Sequence, residues 1–491
     1  MHRIPTVLLC AALLALSAVQ ALPAAEEESQ IEAAVVSIDV TAQRGDWYSP
    51  WQRAGILQFT GSGFLVGPGQ VMTNAHVVSD AKQILVRRNG NSRPYFARVE
   101  FIAHDSDLAL LRVSDPSFDA GVAPLRLGDL PSLLTRVRTY GFPAGGEKIS
   151  RTEGVVSRIQ FVTYVHSSAD AHLAVQTDSA INPGNSGGPV IQDGLVVGVA
   201  FQVSAELNDV GYFIPTTVVQ RFLDDIRDGS YDGYAEMAIR SSNLNNEAYR
   251  AFLRLPAERG GVVVDAVLPA SSADGLVLPG DVILAIGVHT VGNDGNILYH
   301  GHTLPFEQIA EEKQVGDVLR LTLWRDGGEL RREIPLRGLP DAERVRSRFD
   351  VLPDYIVYAG LVFMELDRAY METFGNFWEQ APDDLLYEQF FRRDEHPQDP
   401  PRRAVVLSRI LPHAVNRNYR DSANSLVSRI NGVPISGLTS IPAALARPQG
   451  GEQIFELGDV GNLLILNAAQ ADAAHAEILR QYGVAQDRRL P

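Results

Sequence analysis

The sequence predicts a mainly β protein: a pair of antiparallel β-barrels followed by two copies of a small α+β domain. Three observations predict it. Up to about residue 232 the chain is a series of short apolar runs bounded by turns, with a helical pattern only at its end. The 42 Gly and 28 Pro supply the many turns that such a fold needs. The later half then repeats one pattern loosely. Gly261-Val262-Val263-Val264-Asp265-Ala266-Val267-Leu268-Pro269 is matched in style by Ala404-Val405-Val406-Leu407-Ser408-Arg409-Ile410-Leu411-Pro412. Each is followed by a turn and another strand, Asp281 to Gly287 in one copy and Leu426 to Gly432 in the other. At 491 residues the chain exceeds what one core supports.

The division that follows is a leader at 1–25, a barrel domain at 26–232, and small domains at 233–340 and 341–491. The last includes an insertion and a C-terminal extension. The leader reads as a secretory signal: His2 and Arg3 precede an apolar run from Val7 to Val19. Val19-Gln20-Ala21 is a cleavage site, with Ala24 or Ala25 as alternatives. The run is shorter than the roughly 20 residues that span a bilayer, and no later segment is long and apolar enough to span. We therefore expect an exported protein, periplasmic or secreted if bacterial, without a stable membrane span after signal removal. The only cysteine, Cys10, lies inside this leader, so the mature chain relies on its cores and not on disulfides. A net charge of -16 argues against nucleic acid as the main partner, because phosphate binding needs a basic surface.

Taken in order, Ala33 to Val40 predicts the first strand. The aromatic loop Trp47-Tyr48-Ser49-Pro50-Trp51 suits either local hairpin packing or a subunit contact. Gly61 to Val66, a Gly67-Pro68-Gly69 turn and Val71 to Val78 make two strands ending on His76. Ile84 to Val86 and Ala97 to Phe101 are strand-like. His104-Asp105-Ser106-Asp107 opens the apolar run Leu108 to Leu111. A carboxylate at the mouth of a buried strand is costly unless paired. Asp107 abuts the run and is the candidate to be buried and bonded to an imidazole, or to act as a turn cap. Asp105 and His104 read as solvated. Tyr140 to Gly146 is a loop, and Glu153 to Ile159, Leu195 to Gln202 and Gly211 to Pro215 are strands. Thr216 or Thr217 caps a helix with the apolar face Val218, Val219, Phe222, Leu223 and Ile226, and Gly229 stops it. Leu339 to Asp354 reads as a linker, and Asp383 to Arg403 as an exposed, charged and proline-rich insertion.

The chemistry centres on Asp178-Ser179-Ala180-Ile181-Asn182-Pro183-Gly184-Asn185-Ser186-Gly187-Gly188-Pro189. Serine is a poor nucleophile until a base and an oxyanion site surround it. Glycine at 184 permits a curl of Gly184, Asn185 and Ser186 in which successive N–H groups converge. An oxyanion forming beside Ser186 would meet the N–H groups of Gly184 and Ser186. His76, Asp107 and Ser186 thus supply base, orienter and nucleophile for acyl transfer.

These residues resemble the Deg/HtrA family of serine proteases. The matching stretches are Gly61-Ser62-Gly63-Phe64, Thr73-Asn74-Ala75-His76-Val77-Val78, Asp107-Leu108-Ala109-Leu110-Leu111, Asp178 through Pro189, and Gly211-Tyr212-Phe213-Ile214-Pro215. Leu278-Pro279-Gly280-Asp281-Val282-Ile283 is similar to the family's PDZ signature. The resemblance implies a trypsin-like double-barrel protease domain followed by two PDZ-like domains. It implies an ATP-independent endopeptidase for unfolded or damaged exported proteins and their peptides, with no cofactor and no metal. The family forms homo-oligomers, usually built from trimers. Its carboxylate-binding loop is altered in the first PDZ-like copy, Tyr234 to Ile239, where Glu236 would repel a peptide carboxylate. The second copy keeps Tyr358-Ala359-Gly360-Leu361-Val362-Phe363. In trypsin-like barrels the primary specificity pocket would draw on Ser179, Ala180 and Ile181, with Val199, Ala200, Phe201 and Gln202 as a wall. None of these is charged, and Asp178 reads as structurally bonded, so small and medium aliphatic side chains should fit best. Candidate switching loops are Tyr140 to Arg151 and Ser204 to Val210. Two rival readings are a processing protease with one dedicated substrate and a non-catalytic peptide-binding scaffold or holdase.

Overall fold

The computed structural model describes residues 24–143, 146, 148–203, 211–338, 345–396, 403–458 and 461–490. The predicted signal segment and the loop at 204–210 lie almost wholly or wholly outside them. A helix α1 (Ala24–Ala34) leads into strand β1 (Val35–Ala42). Strands β2 (Leu57–Gly67), β3 (Gln70–Thr73), β4 (Ala81–Arg88), β5 (Tyr95–Ala103) and β6 (Leu108–Val113) follow. They close into a barrel in the order β1-β2-β3-β6-β5-β4. Alternation drives the closure: Val36, Ile38, Val40, Leu65, Val71 and Leu111 point to one interior and are buried. The second barrel consists of β7 (Arg136–Gly141), β8 (Ser150–Thr163), β9 (Ala171–Thr177), β10 (Pro189–Gln192), β11 (Leu195–Val203) and β12 (Gly211–Pro215), in the order β10-β11-β12-β9-β8-β7. Phe64, Met72 and Leu110 of the first barrel share a core with Tyr140, Val175, Val190 and Phe213 of the second. Each such side chain contributes roughly 1.5–3 kcal/mol, and together they fix how the barrels face one another.

Helix α2 (Ala75–Val78) carries His76, and α3 (Thr216–Asp225) leaves the second barrel. The predicted cap of α3 is corrected. Pro215 occupies the cap position in extended conformation, and no side chain bonds the first turn. Both Thr216 and Thr217 are inside the helix, because β12 runs straight into it. Gly229 ends the following turn at φ 98, as expected of a residue without Cβ.

The rest of the described chain forms three antiparallel sheets: one running from Ile239–Asn243 to Gly328–Pro335, a two-stranded one of Asn296–Tyr299 and His302–Pro305, and one from Tyr355–Tyr358 to Arg488–Arg489. Three expectations are corrected here. The aromatic loop at 47–51 is closed locally, with Gly45 bridged antiparallel to Arg53 and the Gln52 N–H donating to the Ser49 carbonyl at 2.7 Å, but it does not pack on itself alone. Trp47 is buried in the core of the C-terminal sheet, Trp51 packs edge-on against Tyr355 at 6.3 Å, and Arg409 lies over Tyr48. The insertion from Asp383 starts as helix, Asp383–Leu386, and buries Leu385, since its apolar residues find a face on the sheet. Residues 397–402 of it lie outside the described residues. Finally, Tyr358-Ala359-Gly360-Leu361 is a tight hairpin turn, with Ala359 at φ 48 and Gly360 at φ 87. Its strand Leu361–Glu365 is paired on both sides, by Tyr355–Tyr358 and by Val405–Ile410. It therefore has no free edge for an added peptide.

Candidate active site

The loop bearing Ser186 is clamped onto the first barrel through Ser62. The Ser62 N–H donates to the Ser186 carbonyl at 2.8 Å, and its hydroxyl donates to the Gly184 carbonyl at 2.6 Å. The same hydroxyl accepts the N–H of Phe142 at 2.8 Å. Thr73 Oγ1 donates to the Ser62 carbonyl at 2.7 Å. A buried hydroxyl costs free energy unless its bonds are made, and both of these are made. The glycines around them follow from the same crowding. A Cβ on Gly187, whose φ is 85, would lie 2.1 Å from the Ser62 carbonyl oxygen and 2.2 Å from Thr73 Oγ1. A Cβ on Gly61 would lie 2.5 Å from a methyl of Val77, next to His76.

Thr73 ends β3 and hands the chain to Asn74 and α2. Asn74 Nδ2 donates to the Asp107 carbonyl at 2.9 Å. Asp107, itself buried, sits at φ 53, a left-handed conformation that aspartate tolerates better than most residues. That kink turns its carboxylate back onto His76. Oδ1 accepts the His76 N–H at 2.8 Å, and Oδ2 meets His76 Nδ1 at 2.7 Å. Burial disfavours charge on both groups, but the facing charge and the shared hydrogen bond outweigh it. The His76 pKa is raised above its ordinary value and that of Asp107 is lowered. The predicted pairing of His76 with Asp107 is thus present in the structure.

In the serine loop, Gly184 has φ 99. Among the described residues its N–H and that of Ser186 have no partner, whereas the N–H of Asn185 donates to the Asn182 carbonyl at 2.9 Å. Asn185 is therefore corrected: it shapes the curl but offers no donor to an oxyanion. The Ser186 hydroxyl donates to the Phe201 carbonyl at 3.3 Å. No hydrogen bond joins it to His76 among the described residues.

Comparison with known proteins agrees with this architecture. Residues 61–199 match the family described as trypsin-like peptidase domain, and residues 345–489 match the PDZ domain family. The chain is 36% identical over 473 residues to Protease Do-like 2, chloroplastic, of Arabidopsis thaliana, covering 95% of this chain and 76% of that one. The chain belongs to the Deg/HtrA family of serine proteases. It is a serine endoprotease. A Plasmodium falciparum serine protease DegP homolog is 43% identical over 206 residues, or 42% of this chain and 24% of that protein. The solved structure of the HtrA-type protease AlgW with tripeptide shares the fold, with a TM-score of 0.50 at 23% identity over 65% of this chain and 98% of that one.

Within this Deg/HtrA protease the predicted pocket residues separate. Ile181 is buried, held against the backbone of Gly211. Ala180 is exposed, and its carbonyl accepts from Thr152 Oγ1 at 3.0 Å. Ala200 is buried, and its backbone bonds both Gly187 and Gly188, so it braces the serine loop. Phe201 offers its carbonyl to Ser186, while its ring packs on Tyr164 at 4.7 Å. The Gln202 side chain lies outside the described residues. Asp178 accepts the Val155 N–H at 2.6 Å, in line with a structural role. Asp105 is corrected: it is buried, accepting from the Ser106 N–H and from Tyr231 Oη at 2.5 Å. Its partner comes from the chain leaving α3, 126 residues away. Sequence reading missed Ser62 and Thr73 as clamp residues. The Gly-Ser-Gly pattern around Ser62 was their only signal.

Proposed function

We propose that this Deg/HtrA protease cleaves peptide bonds with Ser186 as nucleophile, His76 as general base and acid, and Asp107 as orienter. The observation that carries the reading is the two-point bond from Asp107 to the backbone and Nδ1 of His76, beside a serine loop with two unspent N–H groups. The Asp107 bond keeps a proton on Nδ1 and leaves Nε2 with its lone pair. Substrate must first turn the Ser186 hydroxyl from the Phe201 carbonyl towards Nε2. Ser186 Oγ then attacks the scissile carbonyl carbon as its proton passes to Nε2, and the N–H groups of Gly184 and Ser186 receive the oxyanion. Nε2 returns the proton to the leaving amine. Water then repeats the sequence on the acyl-enzyme.

We further propose that the substrates are unfolded or damaged exported proteins, cleaved after small or medium aliphatic residues beside Ile181. The bound tripeptide of AlgW supports peptide recognition in proteins of this fold. The paired edges at Leu361–Glu365 and the acidic groove beside Glu236 argue against capture of free C-terminal carboxylates as the main route. The division at about 232 and 340 into a protease domain and two PDZ-like domains, export by the leader, and a trimer-based homo-oligomer are part of the same proposal. Casein digestion by the wild type and by Ser186→Ala tests it, with cleavage sites mapped by mass spectrometry. Loss of cleavage in Ser186→Ala is expected. Retained cleavage, or cuts mainly after Lys or Arg, would contradict it.

A further inference from the structure

Beside the His76–Asp107 pair lie two histidines that the chemistry above does not use. His166, in the turn between β8 and β9, is buried, and its ring centroid is 6.3 Å from that of His76. Its Nε2 meets His104 Nδ1 at 2.9 Å, and His104 Nε2 meets Asp350 Oδ2 at 3.1 Å. Phe349 stacks on His166 at 4.1 Å with an interplanar angle of 18°. Arg44 covers Phe349, with its guanidinium 4.8 Å from the ring centroid. Phe349 and Asp350 belong to an extended strap that enters the C-terminal sheet, and the strap is anchored at several points on the barrels. Arg346 donates from Nε and Nη2 to the Asp170 carboxylate, Ser347 N–H donates to the Ser167 carbonyl at 2.9 Å, and Asp350 and Asp80 each accept the other's N–H.

We propose that the strap Arg346–Asp350 positions the catalytic pair: Phe349 seals the His166 imidazole against the His76 ring, and Asp350 fixes its orientation through His104. This rests on the assignment of His76 and Asp107 as base and orienter. The hydrogen-bond chain sets the tautomers. In the tautomer whose Nε2–H faces Asp350, His104 Nδ1 accepts Nε2–H from His166. The charged and titratable groups facing His166 are Asp107 and His76 on the first barrel, His104 at the mouth of β6, and Asp350 on the strap. Arg44 lies beyond Phe349, and the Arg346–Asp170 pair sits at the far end of the same turn. Burial dominates this balance and holds the His166 pKa at about 4. A neutral His166 leaves Asp107 to His76 alone. A cation there would compete for Asp107 and oppose the imidazolium that must form on His76 during turnover. His166 and Phe349 are therefore positioning residues, acting through His76.

The experiment compares casein-derived peptide kinetics across pH for wild type, Phe349→Ala, Phe349→Tyr and the double variant Phe349→Ala with His166→Gln. In Phe349→Ala, hydrated His166 should titrate near its ordinary value of about 6.5. Between pH 5 and 7 its kcat should fall by about 10- to 100-fold, with KM nearly unchanged. The acid limb should steepen from one ionisation to two. Phe349→Tyr should restore the wild-type profile, and the double variant should return to one ionisation. An unchanged kcat and slope in Phe349→Ala, or a second ionisation that survives His166→Gln, would overturn the proposal. If Phe349→Ala does not fold, Asp350→Asn, which keeps the aromatic seal, should still lower kcat without raising KM, and a wild-type kcat would count against the strap. NMR titration of the His166 Cε1–H in folded Ser186→Ala, with and without Phe349→Ala, needs no turnover. It tests the seal even if His76 proves not to be the base.

Discussion

Asp105 and Asp107 stand two residues apart and do different work. Asp107 faces His76, and its replacement by Ala should reduce kcat/KM by about 10³- to 10⁴-fold, with modest loss of stability. Asp105 ties Tyr231 to the barrel. Burial works against its charge, but Arg346, His172 and the Tyr231 hydroxyl hold its pKa below the ordinary carboxylate value. Asp105→Ala should lower unfolding stability by about 1.5–3 kcal/mol while leaving the pH profile in place. Urea unfolding and casein assays on both variants distinguish the roles. The choice of Asp107 was legible because it abuts the apolar strand. The burial of Asp105 was not, because a sequence does not show which distant tyrosine returns to it. The raised pKa of His76 places the acid limb of kcat/KM above about 6.5. A rate that stays flat down to about pH 4 would remove His76 as the base.

At the scale of elements, a second buried pair joins the barrels to the helix Gln308–Glu311 of the following region. His172 on β9 meets Glu311 at 2.5 Å, beside the groove that holds Glu236 and Glu307. Burial opposes its charge, but Glu311 outweighs this and raises the His172 pKa. Its sign follows from linkage: a pKa raised on folding gives stability that is complete below the unfolded value of about 6.5 and is lost as pH rises through the folded value. Thermal melting should therefore show a stability decrement above about pH 6.5 that disappears in Glu311→Gln. An identical pH dependence in both proteins would contradict this. Period-two alternation made the strands legible throughout. It did not show pairing partners. Tyr358-Ala359-Gly360-Leu361 keeps the residues of a ligand loop, yet the strand after it is covered by Tyr355–Tyr358 on one side and by Val405–Ile410 on the other.

Over the whole molecule, the C-terminal strand Arg488–Arg489 meets the loop at residues 47–51. Arg489 Nη1 donates to the Pro50 and Pro353 carbonyls at 3.3 and 2.8 Å, and Trp47 lies in the core of the C-terminal sheet. The two barrels and the two larger later sheets were readable from turn spacing and the repeated Val-rich strands. How the last sheet packs against residues 47–51 was not, since an aromatic loop fits many partners equally well by composition. Trp47→Ala should cost about 3–5 kcal/mol and expose the C-terminal sheet to limited proteolysis before the barrels. Simultaneous cleavage of both regions would mean that this contact does not hold the sheet in place.

Ser186 as the proposed nucleophile is tested by peptide mapping of the intact protease after inactivation by a fluorophosphonate, which phosphonylates an activated serine hydroxyl. A single adduct on the peptide bearing Ser186, formed in proportion to lost casein hydrolysis, is the expected result. Full inactivation with the adduct on any other residue, and none on Ser186, would contradict it.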